Sequence, residues 1–315
     1  METMRRKKKK LSKLKITLIV LSVILAIILG YIGYTAYKIY DTANQIHTPI
    51  KPSDKRADQE GDLIEKGEAF SVLLLGIDAT SKNPNDKGRS DAIIIYTINP
   101  KTNSTKTVSI PRDTQADIVG YNSTPSTKIN AAYAFGGEEM ATRTIENFLD
   151  IPIDYYIKAD MDSFPSIVDS IGGITIDNHL DFTQNGFHFP IGTVNLDGDK
   201  ALAYTRMRKQ DPRGDFGRQQ RQRMVLQALQ QRAKSPSIIF GIHNLLDTLG
   251  TRFTTNLTFD QLMDLQKKYI QVADKMETIE IEATNARING ASMQVISQKE
   301  RDRVSKILRS ELELD

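Results

Sequence analysis

Between Ile16 and Tyr37 the chain runs for 22 residues without a charged side chain. A helix of that length rises roughly 33 Å, enough to cross the hydrocarbon core of a bilayer. Ahead of it stand Arg5, Arg6, Lys7, Lys8, Lys9, Lys10, Lys13 and Lys15, the bias that keeps a terminus in the cytoplasm. A cleaved secretory signal has a shorter apolar core and a small-residue exit, whereas this run leaves through Tyr34, Tyr37 and Tyr40, rings suited to the membrane interface. The expectation is an uncleaved signal-anchor: 1–15 a basic cytoplasmic tail, 16–37 one transmembrane helix, and everything beyond about Lys38 outside. A nucleic-acid or localisation tract is the alternative for the basic run, and its adjacency to a spanning helix weighs against it.

The formal net charge of +3 hides an asymmetry. Eight basic residues against Glu2 give +7 before Ile16 and leave −4 for the rest of the chain. The outer part is therefore no general polyanion binder, and an anion site within it must be local. The chain has no Cys, so no disulfide framework holds the outer part.

Residues 38–68 are polar and include HTPIKPSDKRADQEGD, which reads as an extracellular stalk. At Ala69 the character changes to AFSVLLLGID, a continuous apolar run typical of a strand buried on both faces. DAIIIYTINP (Asp91–Pro100) and TKTVSIPRD (Thr105–Asp113) repeat the pattern. Apolar periodicity predicts a helix over Asn130–Leu149, a strand near Asp154–Ala159, a short helix from Met161 to Ser170, a turn at Gly172-Gly173 and a strand at Ile174–Asp177. Helices follow at Asp199–Met207, Asp215–Ala233, Ile238–Leu249 and Phe259–Val272, then a strand at Glu277–Ile281 and a helix at Ser297–Arg309. Strands mixed with helices in this way give one α/β or α+β three-layer domain over 69–315.

Tyr204–Arg223 reads YTRMRKQDPRGDFGRQQRQR and carries six arginines to one lysine. Guanidinium forks bind phosphate oxygens in pairs. If a helix opens near Asp215, Arg218 and Gln222 continue the stripe of Val225 and Leu229, so charge is directed toward the core, where it needs a partner. A solvated basic helix face is the plainer reading. Three strand ends also carry ionisable residues: Gly76-Ile77-Asp78, Gly88-Arg89-Ser90-Asp91 and Ser109-Ile110-Pro111-Arg112-Asp113. Strand ends of an open sheet converge on a crevice, where two carboxylates and an arginine suit a hard divalent cation bridging to phosphate. Turn formation explains the same aspartates without a ligand. There is no Gly-x4-Gly-Lys-Ser/Thr, His-Glu-x-x-His or Gly-x-Ser-x-Gly pattern, and the four His, at 47, 179, 188 and 243, are scattered.

Taken in order, LLLGID, GRSDAIII, SIPRDT, KINAAYAFGG, the GGI turn, LDGDKALAYTRMRK and GDFGRQQRQR resemble the LytR-CpsA-Psr family of cell-wall glycopolymer transferases, most of all its wall teichoic acid group, over about Ala69–Arg309. The resemblance implies an α/β/α domain with a mixed central sheet and an apolar tunnel for a polyprenyl tail. It implies a phosphotransferase that moves an anionic glycopolymer from a polyprenyl-pyrophosphate carrier to a muramic acid hydroxyl of peptidoglycan, on the outer face of a Gram-positive membrane. By motif, Asp78 and Asp91 would hold Mg²⁺, with Mn²⁺ as a substitute. Arg89, Arg112, Lys128, Arg206, Arg208, Arg218 and Gln222 would contact the pyrophosphate. Arg112, Asp215 and Arg218 would be catalytic, Asp215 as base for the incoming hydroxyl. Ile238, Ile239, Phe240, Leu245 and Leu246 serve as tunnel wall or as ordinary core. Two other functions remain open: a polyprenyl-pyrophosphate phosphatase, and a non-catalytic surface binder or regulator of wall polymers, which the paired Asp78 and Asp91 disfavour unless a cation lies between them. A nucleic-acid partner is not expected, because the basic tail is too short for a DNA-reading domain.

Overall fold

The computed structural model describes residues 13–56, 61–78, 88–121, 126–233, 250, 253–269 and 276–314, and of 13–28 the helical backbone alone. Helix α1 (Lys13–Ile46) is continuous over 34 residues and includes the stretch expected to span the membrane. Among the described residues no helix is long and apolar enough to cross a membrane; the side chains up to residue 28 lie outside that description. The chain divides after Asp41, and Thr42–Asp315 forms its own compact unit.

Along that unit run α2 (Leu63–Lys66), β1 (Phe70–Asp78), β2 (Arg89–Asn99), β3 (Ser104–Ser109), the short β4 (Gln115–Ala116) and β5 (Thr127–Lys128), and α3 (Ala131–Leu149). Next come β6 (Tyr155–Asp160), α4 (Phe164–Ser170), β7 (Ile174–Asn178), β8 (Phe182–Gln184), β9 (Phe187–Phe189), β10 (Gly192–Leu196), α5 (Gly198–Arg206) and α6 (Asp215–Ala233). The unit ends with β11 (Phe253–Thr255), α7 (Phe259–Lys268), β12 (Met276–Ile279), β13 (Thr284–Ile288), β14 (Ala291–Val295) and α8 (Gln298–Glu311). The helix expected over Ile238–Leu249, with its candidate tunnel residues, lies outside the described residues.

Six strands form one mixed sheet in the order β11-β6-β1-β2-β3-β12. Neighbours are antiparallel except β1–β6 and β3–β12. The apolar run of β1 serves both faces because successive side chains alternate. Leu73, Leu75 and Ile77 join Ile145, Phe148, Val304 and Leu308 of α3 and α8 on one face. Phe70 and Val72 join Leu63, Ile64, Leu257 and Tyr269 on the other. Leu73 and Leu75 are fully buried, each contributing about 1.5–3 kcal/mol relative to exposure. A third cluster lies outside the sheet, where Val168, Ile174, Phe182, Phe189, Tyr204 and Val225 tie α4 and β7–β9 to α5 and α6. Phe182 stacks on Phe189 at 4.7 Å, and the Tyr204 hydroxyl donates to Asn178 Oδ1 at 3.1 Å. This cluster fixes α5 against α6, and with them the arginines they carry.

The stalk expected over 38–68 is not a free tether. From Thr42 onward it belongs to the folded unit: Asp62 caps α2, accepting from Ile64 N at 2.9 Å, and Leu63 and Ile64 are buried. Arg56 pairs with Asp154 at 3.1 Å, both side chains about 6% exposed. The polar composition masked these few anchoring residues. Two hairpins, β8–β9 and β13–β14, also went unpredicted; they turn through Asn185-Gly186 and Asn289-Gly290, all four residues at positive φ as a type I′ turn requires.

Candidate active site

Asp78 ends β1, Arg112 follows β3, and the antiparallel β2 begins at Arg89, so all three stand at one end of the sheet. The β1–β2 register is interrupted there: Gly76 faces Ala92, Ile77 faces Ser90 and Asp78 faces Arg89, which leaves Asp91 as the extra residue of a bulge. Bulges re-aim side chains beside active sites. Gly76 fits closely just below it: a Cβ there would stand 3.0 Å from the Ala92 Cβ and 3.2 Å from Met161 Sδ, so a larger residue would press on both side chains. Met161 is held by its N–H to Ile77 O at 2.8 Å.

Beyond β3 the chain turns, with Thr114 N donating to Pro111 O at 3.0 Å, and Arg112 donates through Nη1 to Asp91 Oδ2. Helix α5 starts on an Asp197 cap, which accepts from Lys200 N at 2.9 Å, and delivers Arg206 in its last turn with Arg208 just beyond. Helix α6 opens at Asp215, as the pattern predicted. Its entry is fixed by Asp211, which accepts from Arg213 N at 2.9 Å and from Arg221 Nη1 at 2.5 Å. Gly217 makes room for that carboxylate: a Cβ at 217 would lie 1.8 Å from Asp211 Oδ2.

These elements enclose a pocket of about 210 Å³ lined by Asp78, Asp91, Arg112, Met161, Thr205, Arg206, Arg208, Arg218 and Gln222. Seven of the ten residues expected from the sequence thus meet in one place. Met161 and Thr205 were not foreseen, since neither carries charge and Thr205, although inside LDGDKALAYTRMRK, sits beside the arginine that drew the reading. The remaining three stand apart. Arg89 is exposed, opposite Asp78 in the β1–β2 register. Lys128 pairs with Asp113 at 2.7 Å. Asp215 is buried behind the wall, 2.8 Å from Arg218 Nη2, and accepts from Gln219 Nε2 at 3.1 Å. Burial pushes the Arg218 guanidinium below the usual arginine range, and Asp215 partly offsets it.

Several polar atoms of this wall are buried without a hydrogen-bond partner: Asp78 Oδ1, Arg206 Nη2 and Arg218 Nε. Arg206 has Asp162 only at 3.9 Å. Buried polar groups in native proteins are nearly always satisfied, and orphaned atoms of both signs beside one pocket are what an anionic ligand with an accompanying cation would satisfy. Among the described residues there is no cluster of three His, Cys, Asp or Glu. Asp78 and Asp91 are two hard oxygen donors, and Asp78 Oδ1 has a free lone pair; that is the partial set with which Mg²⁺ binds when substrate oxygens and water complete its shell. A cluster of four arginines and two carboxylates can neutralise a pyrophosphate and orient one of its phosphorus centres.

Residues 33–310 match the LytR_cpsA_psr family. The polyisoprenyl-teichoic acid–peptidoglycan teichoic acid transferase TagU of Bacillus anthracis is 49% identical over 243 residues, 77% of this chain and 78% of that protein. Among solved structures, B. subtilis TagU superimposes with a TM-score of 0.63 at 39% identity, covering 79% of this chain and 98% of that one. TagT bound to LIIa-WTA superimposes at 0.71 with 32% identity, covering 84% and 97%.

Proposed function

The chain belongs to the LytR-CpsA-Psr family, and we propose that it is a membrane-anchored phosphotransferase that moves an anionic glycopolymer, wall teichoic acid first among them, from a polyprenyl-pyrophosphate carrier to peptidoglycan. The observation that carries this reading is the pocket of Arg112, Arg206, Arg208 and Arg218 against Asp78 and Asp91, with orphaned atoms of both signs. The acceptor hydroxyl attacks the phosphorus that bears the sugar, the bond to the polyprenyl phosphate breaks, that departing phosphate takes the hydroxyl's proton, and a phosphodiester forms. Phosphoryl transfer of this kind needs positioning and charge neutralisation more than a covalent nucleophile. Arg112 and Arg218 hold the transferred group, Arg206 and Arg208 the departing phosphate, and Gln222 a non-bridging oxygen. Asp78 and Asp91 would hold Mg²⁺, and that ion would supply neutralisation of charge on the pyrophosphate oxygens. Asp215 was expected to be the base; buried and tied to Arg218 and Gln219, it positions Arg218 instead.

An apolar space of about 240 Å³ between the sheet and α6, lined in part by Tyr96, Ile98, Leu226, Tyr269 and Met276, supports a seat for the polyprenyl tail. The basic N-terminus and the uncharged run inside the continuous α1 support an anchor, which would raise the effective concentration of a lipid-borne donor and place Thr42–Asp315 on the outer face of a Gram-positive cell.

The test is transfer of a labelled glycan from a synthetic polyprenyl-pyrophosphate donor to peptidoglycan oligomers by the full chain, with Mg²⁺ and with chelator. Metal-dependent product that falls at least 100-fold in Arg112→Ala, with an unchanged circular dichroism spectrum, is expected. Release of polyprenyl phosphate at the same rate without acceptor would make the protein a phosphatase, and donor that binds without reacting would make it a binder.

A further inference from the structure

Lys128 was expected on the pyrophosphate, yet neither it nor Asp113 is among the residues that line the arginine pocket. The two meet beside it. Lys128 Nζ donates to Asp113 Oδ1 at 2.7 Å, and Asp113 Oδ2 lies 4.0 Å from Nε of Arg112. Arg112 in turn donates through Nη1 to Asp91 Oδ2 on the pocket wall. Charges of alternating sign thus run Asp91, Arg112, Asp113, Lys128, and the first two of them reach the pocket.

The backbone fixes both partners. Strands β4 and β5 pair with Gln115 opposite Lys128, which brings the SIPRDT and KINAAYAFGG segments together although Asp113 and Lys128 are 15 residues apart. Asn130 N donates to Arg112 O at 3.3 Å and Ile129 N to Thr114 O at 2.7 Å, while Gln294 N, on β14, donates to Asp113 O at 2.9 Å. The turn that carries Arg112 and Asp113 is therefore held from two sides. The freedom left to Arg112 is that of its long side chain.

At 4.0 Å the Asp113 carboxylate is within ion-pair range of Arg112 and beyond hydrogen-bond range. It attracts the guanidinium without consuming an N–H that a phosphate oxygen could take. Carboxylates at two edges, Asp91 at Nη1 and Asp113 at Nε, set the direction of the fork. Lys128 makes this arrangement compatible with an anionic ligand: it balances Asp113, so the pair contributes orientation and no net charge. Were Lys128 on the phosphate instead, Asp113 would stand unbalanced beside Arg112 and compete with the ligand for it. A misplacement of about 1 Å can lower a rate about 100-fold. Resting on the transferase reading, we propose that Asp113 is the positioning residue of Arg112 and that Lys128 acts on the reaction through Asp113.

The probe is inorganic pyrophosphate with Mg²⁺, titrated by calorimetry into the full chain in detergent. Position and charge predict opposite signs. Asp113→Asn removes a negative charge, which by charge alone would tighten pyrophosphate binding; loss of position should weaken it about fivefold. Lys128→Met should weaken it about as much, and Lys128→Arg should restore it. Both losses should vanish in the Arg112→Ala background, where no guanidinium is left to aim. Thermal melts confirm that the variants fold. In the transfer assay Asp113→Asn should lower kcat about tenfold with the acceptor KM unmoved. Tighter binding by Asp113→Asn, or weakening by Lys128→Met that persists beside Arg112→Ala, would overturn the assignment and return Lys128 to the phosphate. A wild type that shows this binding pattern yet transfers nothing overturns the transferase reading alone, whereas an active enzyme indifferent to Asp113→Asn overturns the positioning alone. A wild type that binds no pyrophosphate overturns both.

Discussion

Arg218 and Arg221 lie one turn apart on α6, both buried, and their surroundings differ in one respect. Arg221 has both terminal nitrogens bonded, to Asp211 Oδ2 and to Met207 O, and its guanidinium lies 5.6 Å from the centre of the Phe182 ring. Arg218 has only Asp215, at 2.8 Å, and stands at the wall of the arginine pocket, while the Nε of both arginines is without a hydrogen-bond partner. Taking a guanidinium out of water costs several kcal/mol unless the surroundings compensate. Around Arg221 the protein bonds both terminal nitrogens; around Arg218 it sets one carboxylate and an open pocket. Burial does not distinguish a structural arginine from a functional one, and neither does an unpaired Nε, which both have; the partners of the terminal nitrogens and the open pocket beside one of the two do.

The contrast is open to attack by substitution. The largest effect is expected from Arg218→Lys, which keeps a cation beside Asp215 but loses the fork: transfer should fall about 100-fold with little change in thermal stability, and a melt that dropped as far as the activity would erase the distinction. Asp211→Ala attacks the other member. It leaves Arg221 buried and unpaired, so unfolding free energy should fall by about 3–5 kcal/mol, measured by urea denaturation. Gly217→Ala sharpens the point by its sign, because Ala in place of Gly ordinarily stabilises a helix by about 1 kcal/mol. Here the added Cβ meets Asp211 Oδ2 at 1.8 Å, and a loss of about 1–3 kcal/mol is expected from overpacking.

The smallest effect is in pH. Burial alone would raise the Asp211 carboxyl, but hydrogen bonds from the Arg213 backbone and from the Arg221 and Arg213 side chains outweigh it and hold the group below its usual range. A depressed folded pKa contributes stability that is present above the unfolded value, about 4, and fades as pH falls through the folded value. Urea midpoints of the wild type should decline below about pH 4, and Asp211→Asn should flatten that limb.

What could be read in advance follows the same division. Helix α6 was legible to its ends because Arg218, Gln222, Val225 and Leu229 keep one helical stripe, and β1–β3 because their apolar runs admit little else. The meeting of Asp78, Asp91 and Arg112 was legible as convergence at one sheet end, without the register that produces it. Met161 and Thr205 left no mark, since an uncharged side chain in a site is indistinguishable from packing until the walls are assembled. The difference between Arg218 and Arg221 was equally invisible: in GRQQRQR they are the same residue three places apart, and the partner that separates them, Asp211, lies ten residues before Arg221. The two Asn-Gly hairpins are another matter, because their turn signal was present and simply passed over.

Asp91 is one residue more than its strand needs. In a regular strand odd and even numbers keep to opposite faces, and the bulge opposite Gly76-Ile77 changes the parity between 88–90 and 92–99. Deleting one residue there would mend the alternation and give a more regular ribbon, and it would remove the carboxylate that answers Arg112. A single-residue deletion at the base of this strand pair would thus cost the pocket a carboxylate without touching any other side chain, and the chemistry of the pocket depends on an irregularity in arithmetic as much as on any one residue.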